Sequence, residues 1–211
     1  SFEAGALTEI MYALDTLNST DNGDTYKIDI MTGGSAGSIT GAISTRIMTH
    51  NYQEMKHTLR NVWVELVDID DLMVRSDRGA LLSNNIQRTL AEKYIINPEV
   101  PKGGKASFVA DTIHLSFTIS NLVGIDYTIP YKNLDGLGDS SKRFVSTEFK
   151  DFSHFAVNRT NAHSTDLWRE ISESVIASGS FPVAFAPYKL YRRRGHYPGA
   201  DINYNKTLPG N

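Results

Sequence analysis

The chain contains no cysteine, which excludes disulfides, a thiol nucleophile and cysteine-ligated metal sites. Compartment stays open on that ground, because many exported bacterial proteins also lack cysteine. Positive charge is not in excess. The 21 Lys and Arg residues face 24 Asp and Glu, and a net charge of -3 lacks the basic footprint that phosphate-backbone binding requires, so nucleic acid is not an expected partner. No apolar run approaches the roughly 20 residues that a bilayer-spanning helix needs, and no basic-then-apolar leader opens the chain. As it stands the sequence reads as soluble, with a preference for the cytoplasm and secretion left open. An initiator Met is also lacking: Ser1-Phe2-Glu3-Ala4-Gly5 runs straight into a helical pattern, so the natural protein is expected to begin upstream. The polar end from Asn203 to Asn211 stops without a terminating element, and the segment 195–211 is expected to be incomplete.

What is present suffices for a core. A hydrophobic content of 40% over 211 residues points to one domain spanning 1–211. Leu7, Ile10, Met11, Leu14 and Leu17 recur at helical spacing and predict an amphipathic helix over Ala4 to Leu17. Tyr26 to Thr32, bounded by Asp24 and Gly33, suits a short buried strand. From Ser35 to His50 the small residues Ala36, Gly37, Gly41 and Ala42 alternate with Ile39, Ile43 and Ile47, a helix able to lie close against a sheet. Tyr52, Met55, Leu59, Val62, Trp63 and Leu66 define another helix face, and Asp68 to Asp71 reads as a polar break. Ser83 or Asn84 is placed to cap a helix carrying Ile86, Leu90 and Tyr94, which Asn97-Pro98 stops. Ile113, Leu115, Phe117 and Ile119 alternate with polar residues as a strand does, and Asn121 to Gly124 followed by Ile125 to Ile129 predicts a hairpin return. Phe144 to Phe149 is predicted as a strand and Leu167 to Ile176 as a helix. Helices interleaved with strands in this order argue an α/β fold with a mainly parallel sheet.

Gly33-Gly34-Ser35-Ala36-Gly37 matches Gly-x-Ser-x-Gly, between a predicted strand and a predicted helix. A serine on so sharp a turn is expected to adopt a strained backbone, with Gly33 and Gly37 avoiding side-chain clashes against neighbouring main chain. The helix N-terminus beneath Ser35 offers free N–H groups, the Ala36 N–H first, to the oxyanion of a tetrahedral intermediate. A plain glycine-rich turn, or one cradling a phosphate, remains an alternative on the pentapeptide alone. A nucleotide-binding Walker loop is disfavoured, because Ser38 rather than Lys follows Gly37. A serine nucleophile also needs a base. The six histidines carry no local signature, and only His196 falls late enough to complete a Ser-carboxylate-His triad in chain order.

In three separate places the chain resembles the patatin-like phospholipases. Glu3-Ala4-Gly5-Ala6-Leu7-Thr8-Glu9-Ile10 is similar to the helix after that family's oxyanion loop. Ile30-Met31-Thr32-Gly33-Gly34-Ser35-Ala36-Gly37 is similar to its nucleophile elbow. Ala177-Ser178-Gly179-Ser180-Phe181-Pro182-Val183-Ala184-Phe185-Ala186-Pro187 is similar to its Ala-Ser-x-Ala-x-Pro-x-x-Phe-x-Pro segment. The resemblance implies a three-layer sandwich, with a mainly parallel central sheet flanked by helices. It also implies a lipid acyl hydrolase working through a Ser-Asp dyad and an acyl-serine, with no metal or organic cofactor. Ser35 is then the nucleophile, and Gly33, Gly34, Ala36 and Gly37 form the elbow and oxyanion site. The substrate is a phospholipid or another acyl-ester lipid, which brings peripheral membrane contact with it. The family's Asp-Gly-Gly or Asp-Gly-Ala motif falls at His196-Tyr197-Pro198-Gly199-Ala200-Asp201. Here Pro198 occupies the aspartate position, and Asp201 is the nearest carboxylate and the chosen base. Asp135, in Asp135-Gly136, precedes the Trp168 helix and is out of order for that role. The family's Gly-Gly-x-basic-Gly oxyanion loop has no counterpart in the sequence. Two other readings are a triad esterase using Ser35 and His196, and a degenerate domain that binds lipid or protein without hydrolysis.

Overall fold

Helix α1 runs from Phe2 to Ser19 and buries Ala4, Thr8 and Met11, with Leu7 and Leu14 packed against the core. The predicted stripe is thus rotated, for Ile10 is 54% and Leu17 42% exposed. Small residues explain the shift. Ala4 and Thr8 let the helix approach closely, and the Thr8 hydroxyl donates to the Ala4 carbonyl at 2.8 Å, so its burial leaves no polar group unsatisfied. The structure, a computed structural model, describes residues 2–20, 25–73, 80–98, 103–130 and 143–197.

Strand β1 (Ile28–Gly33) leads through Gly34 and Ser35 into helix α2 (Ala36–His50). β1 was expected to be buried, yet Ile30 is 61% exposed. Among the described residues β1 has one neighbour, strand β2 (Val109–Pro130), and lies at the sheet edge in the order β1-β2-β3, with β3 spanning Arg143–Asn158. β1 and β2 are parallel, pairing Met31 with Leu115 and Gly33 with Phe117. This mixed α/β arrangement agrees with the expected class in its coarse form, with three strands among the described residues.

Helix α2 is the axis of the core, with every residue from Ser38 to Met48 buried. The buried threonines of this helix turn their hydroxyls onto its own carbonyls: Thr40 donates to Ala36 and Thr45 to Gly41, at 2.9 and 2.8 Å. A Cβ at Gly41 would stand 3.2 Å from Met31, so the missing side chain lets α2 lie on β1 as the small-residue pattern predicts. Helix α3 (Met55–Arg60) continues into a wider i→i+5 turn, Asn61–Leu66, and buries Met55, Leu59 and Val62. The acidic break is partly helical. Asp68 Oδ1 accepts the Asp70 N–H at 3.0 Å and starts the short helix α4 (Ile69–Met73), so Asp68 acts as a cap. Helix α5 (Asn85–Leu90) widens likewise over Ala91–Ile96, and helix α6 (Thr165–Gly179) packs on that turn and on α2. α6 begins at Ser164, whose hydroxyl accepts the Leu167 N–H, and buries Trp168, Ile171, Val175 and Ile176.

The hairpin return does not occur, because β2 continues to Pro130. Asn121 Oδ1 accepts the N–H groups of Val123 and Gly124 at 3.0 and 3.1 Å, and Gly124 takes φ 77°. The turn-forming residues therefore make an irregularity inside the strand instead of reversing it.

The chain divides into two compact units, Ser1–Thr118 with Phe152–Lys189, and Ile119–Asp151 with Leu190–Asn211. The main core belongs to the first. In the second, Ile125 and Tyr197 pack with Tyr127, and buried Asp151 takes a 2.7 Å hydrogen bond from the Tyr197 phenol and a 3.3 Å ion pair from Arg192. Burial foremost, then the bond to Asp151, pushes the Tyr197 phenol up to about 12. The Arg192 side chain is accordingly only 16% exposed.

Candidate active site

Ser35 stands at the carboxyl end of β1 and the amino end of α2, where open α/β sheets bind ligands. Its backbone has φ 52° and ψ -120°, a conformation that costs a non-glycine residue about 1–3 kcal/mol. Serine at a helix start ordinarily spends its hydroxyl on capping the first free N–H groups. Here the side chain makes no cap bond, and Ser35 is exposed. The turn satisfies itself through main chain: Gly37 N–H donates to the Gly34 carbonyl at 2.9 Å, and Ser38 N–H to the Ser35 carbonyl at 3.0 Å. Among the described residues, neither the Ser35 hydroxyl nor the Ala36 N–H has a hydrogen-bond partner. The turn thus presents an open hydroxyl beside a free amide at the positive end of a 15-residue helix, a combination suited to attack on a carbonyl and stabilisation of the resulting oxyanion.

The glycines divide into two kinds. A Cβ at Gly33 would lie 2.5 Å from the carbonyl carbon and oxygen of Gly37, so the turn closes only around a bare backbone. At Gly34 it would meet the Thr118 hydroxyl at 2.7 Å. At Gly37 the nearest atom among the described residues is Glu3 Oε2, 3.9 Å away, so the expectation of a clash at Gly37 is corrected: no neighbouring main chain of the described residues crowds it. Glu3 Oε2 therefore lies beside the turn.

Ser178 was also missed as a participant. Near the end of α6, its hydroxyl accepts the Ser35 N–H at 3.0 Å and lies 2.8 Å from Ser38 Oγ. Two of the three segments singled out in the sequence, the pentapeptide and the Ala177–Pro187 run, are therefore in direct contact. The third brings Glu3 Oε2 to 3.9 Å from where a Gly37 Cβ would stand.

Asp201, the chosen base, lies outside the described residues, as does Asp135. His196 belongs to the second unit, in the short turn Arg194–His196, where its Nδ1 accepts the Arg193 N–H at 3.4 Å. Among the described residues no group of three His, Asp or Glu side chains is placed to hold a metal ion, and no helix is long and apolar enough to cross a membrane.

No curated protein and no solved structure matches the chain. The family model described as patatin-like phospholipase matches residues 1–201 of the 211. With that match covering nearly the whole sequence, and the glycine-flanked serine at the strand-to-helix turn inside it, the chain belongs to the patatin-like phospholipase family.

Proposed function

We propose that the chain is a lipid acyl hydrolase that cleaves a carboxylic ester of a phospholipid or similar lipid with Ser35 as nucleophile. Membership of a phospholipase family supports lipid acyl hydrolysis in general. The observation that carries the finer reading is the uncapped, exposed Ser35 hydroxyl held at φ 52° beside the Ala36 N–H, which has no partner among the described residues. In the proposed cycle the Asp201 carboxylate accepts the Ser35 proton as Oγ bonds to the ester carbon, and the carbonyl electron pair moves onto an oxyanion held by the Ala36 N–H. Collapse breaks the ester bond. The departing alcohol takes the proton from Asp201, and water then attacks the acyl-serine with Asp201 receiving its proton; as this second intermediate collapses, the acyl–Oγ bond breaks, Ser35 Oγ takes the proton back from Asp201, and the fatty acid leaves. No resident metal or organic cofactor enters this cycle. We place the chain in the family's three-layer sandwich and assign it peripheral contact with a membrane surface, following its substrate. The proposed location is the cytoplasm or the membrane surface, and cell fractionation with a secreted fraction tests it.

Labelling of the full-length protein by a fluorophosphonate tests the reading. Label is expected on the wild type, none on Ser35→Ala, and at least about 100-fold slower reaction on Asp201→Asn. A folded full-length protein that takes no label overturns it. His196→Ala separates dyad from triad, since only a triad loses most of its activity with that change. Pro198 in the family's aspartate position favours a second reading, a domain that binds lipid without cleaving it. Vesicle binding with neither label nor ester turnover is the result that selects it.

A further inference from the structure

Within the turn, the Ser35 amide is held from outside its own segment. Gly37, Ser38 and Ile39 direct their N–H groups to main-chain carbonyls at Gly34 and Ser35, but the Ser35 N–H donates to a side chain 143 residues away, Ser178 Oγ at 3.0 Å. The same oxygen lies 2.8 Å from the hydroxyl of Ser38, which is fully buried in the first turn of α2. One hydroxyl from α6 therefore ties together the residue before the helix and the helix itself. A positive φ at a non-glycine residue persists only where its surroundings over-determine it. Relaxing Ser35 to negative φ rotates the Gly34–Ser35 peptide and turns its N–H away from Ser178. That rotation also re-aims the Ser35 Cα–Cβ bond.

We propose that Ser178 is a positioning residue for the hydrolysis. By accepting the Ser35 N–H while bonded to Ser38, it holds the strained peptide in the orientation that points the Ser35 hydroxyl outward. Ser178 touches neither substrate nor oxyanion in this role. The inference rests on reading Ser35 as the nucleophile, but the tether itself is measurable without turnover.

The experiment compares full-length wild type, Ser178→Ala, Ser178→Cys and Ser178→Thr by hydrogen exchange of the Ser35 amide and by kinetics on a short-chain ester. Loss of the acceptor in Ser178→Ala is expected to speed Ser35 exchange about tenfold. The accompanying loss in kcat is about 100-fold, the scale of an ångström's misplacement, with KM within about twofold. Ser178→Thr, which keeps the hydroxyl, restores both readouts. Ser178→Cys, similar in size but a weak acceptor, falls between and serves where the Ala variant does not fold. Unchanged Ser35 exchange in the Ala or Cys variant overturns the tether, and faster exchange with unchanged kcat overturns the positioning role. A wild type inert to ester and fluorophosphonate refutes the nucleophile reading, and the catalytic role of Ser178 with it. The exchange data then judge the tether alone.

Discussion

Replacing Gly33 by alanine puts a Cβ where no atom fits. The added carbon would lie 2.5 Å from the carbonyl carbon and oxygen of Gly37 and 2.6 Å from the Ser38 nitrogen, all main chain and none able to swing aside. Ordinary contact requires a retreat of roughly an ångström, at a cost of about 1–3 kcal/mol by analogy with overpacked cores. Because those atoms belong to the first turn of α2, the retreat moves the Ala36 N–H relative to Ser35, and about 100-fold in labelling rate is expected to go with it. Gly37→Ala is the matched control. Among the described residues its Cβ would find only Glu3 Oε2 at 3.9 Å, and in a helix alanine is more stable than glycine by about 0.5–1 kcal/mol. Urea denaturation with fluorophosphonate labelling reads both effects, and the two glycines of one motif should move stability in opposite directions. The reasoning fails if Gly33→Ala labels at the wild-type rate with an unchanged denaturation midpoint, or if Gly37→Ala is the more damaging.

Arg46 is buried without an acidic partner among the described residues; its Nη1 donates to the Ala162 carbonyl at 2.8 Å, its guanidinium lies 4.7 Å from the Trp168 ring centroid, and burial lowers its pKa to about 10. Arg46→Ala should cost about 2–4 kcal/mol in chemical denaturation through lost packing, and Arg46→Met should recover most of it, since a buried unpaired charge gains little; a Met variant no better than Ala contradicts this. Tyr52 has a buried hydroxyl with no partner among the described residues, and desolvation first, then Asp15 and Tyr12, raises its pKa to about 12. A raised phenol stabilises the fold below its ordinary value of 10 and loses that contribution as pH climbs to about 12, so Tyr52→Phe should flatten the fall in stability over that window while being neutral or stabilising at pH 7. Arg46 works with the opposite sign over the same range, because a lowered basic group relieves its penalty on deprotonation; equal slopes for wild type and Tyr52→Phe between pH 10 and 12 would count against the assignment. Ser164→Ala removes the cap of α6 and should lower stability by about 1 kcal/mol in thermal melts, with Ser164→Asp restoring it.

Local signals carried most of the elements. The periodicities around Met55, Leu90, Phe117 and Trp168 each mark residues that the core buries. Where the reading failed, a competing contact decided. Ile10 has the spacing of a core residue, but the smaller Ala4 and Thr8 occupy the packed face of α1. Asn121 to Gly124 has the composition of a turn, yet the Asn121 side chain satisfies two amides in place and lets β2 run on. Asp68 looks like a break because Asp is unfavourable in helix interiors, and the same carboxylate is what starts α4.

The sequence by itself determined the helix-strand-turn-helix order around the pentapeptide, the family to which that order belongs, and the place of Ser35 between β1 and α2. These depend on short-range chemistry: apolar spacing, glycine at a closed turn, and residue types adjacent in the chain. Only the tertiary structure decided that the Ser35 hydroxyl stays uncapped, that Gly33 is sterically required while Gly37 has room, and that Ser178 holds the Ser35 amide. Each of these turns on tenths of an ångström between main chain and groups brought together by folding, a distance that no spacing along the chain encodes.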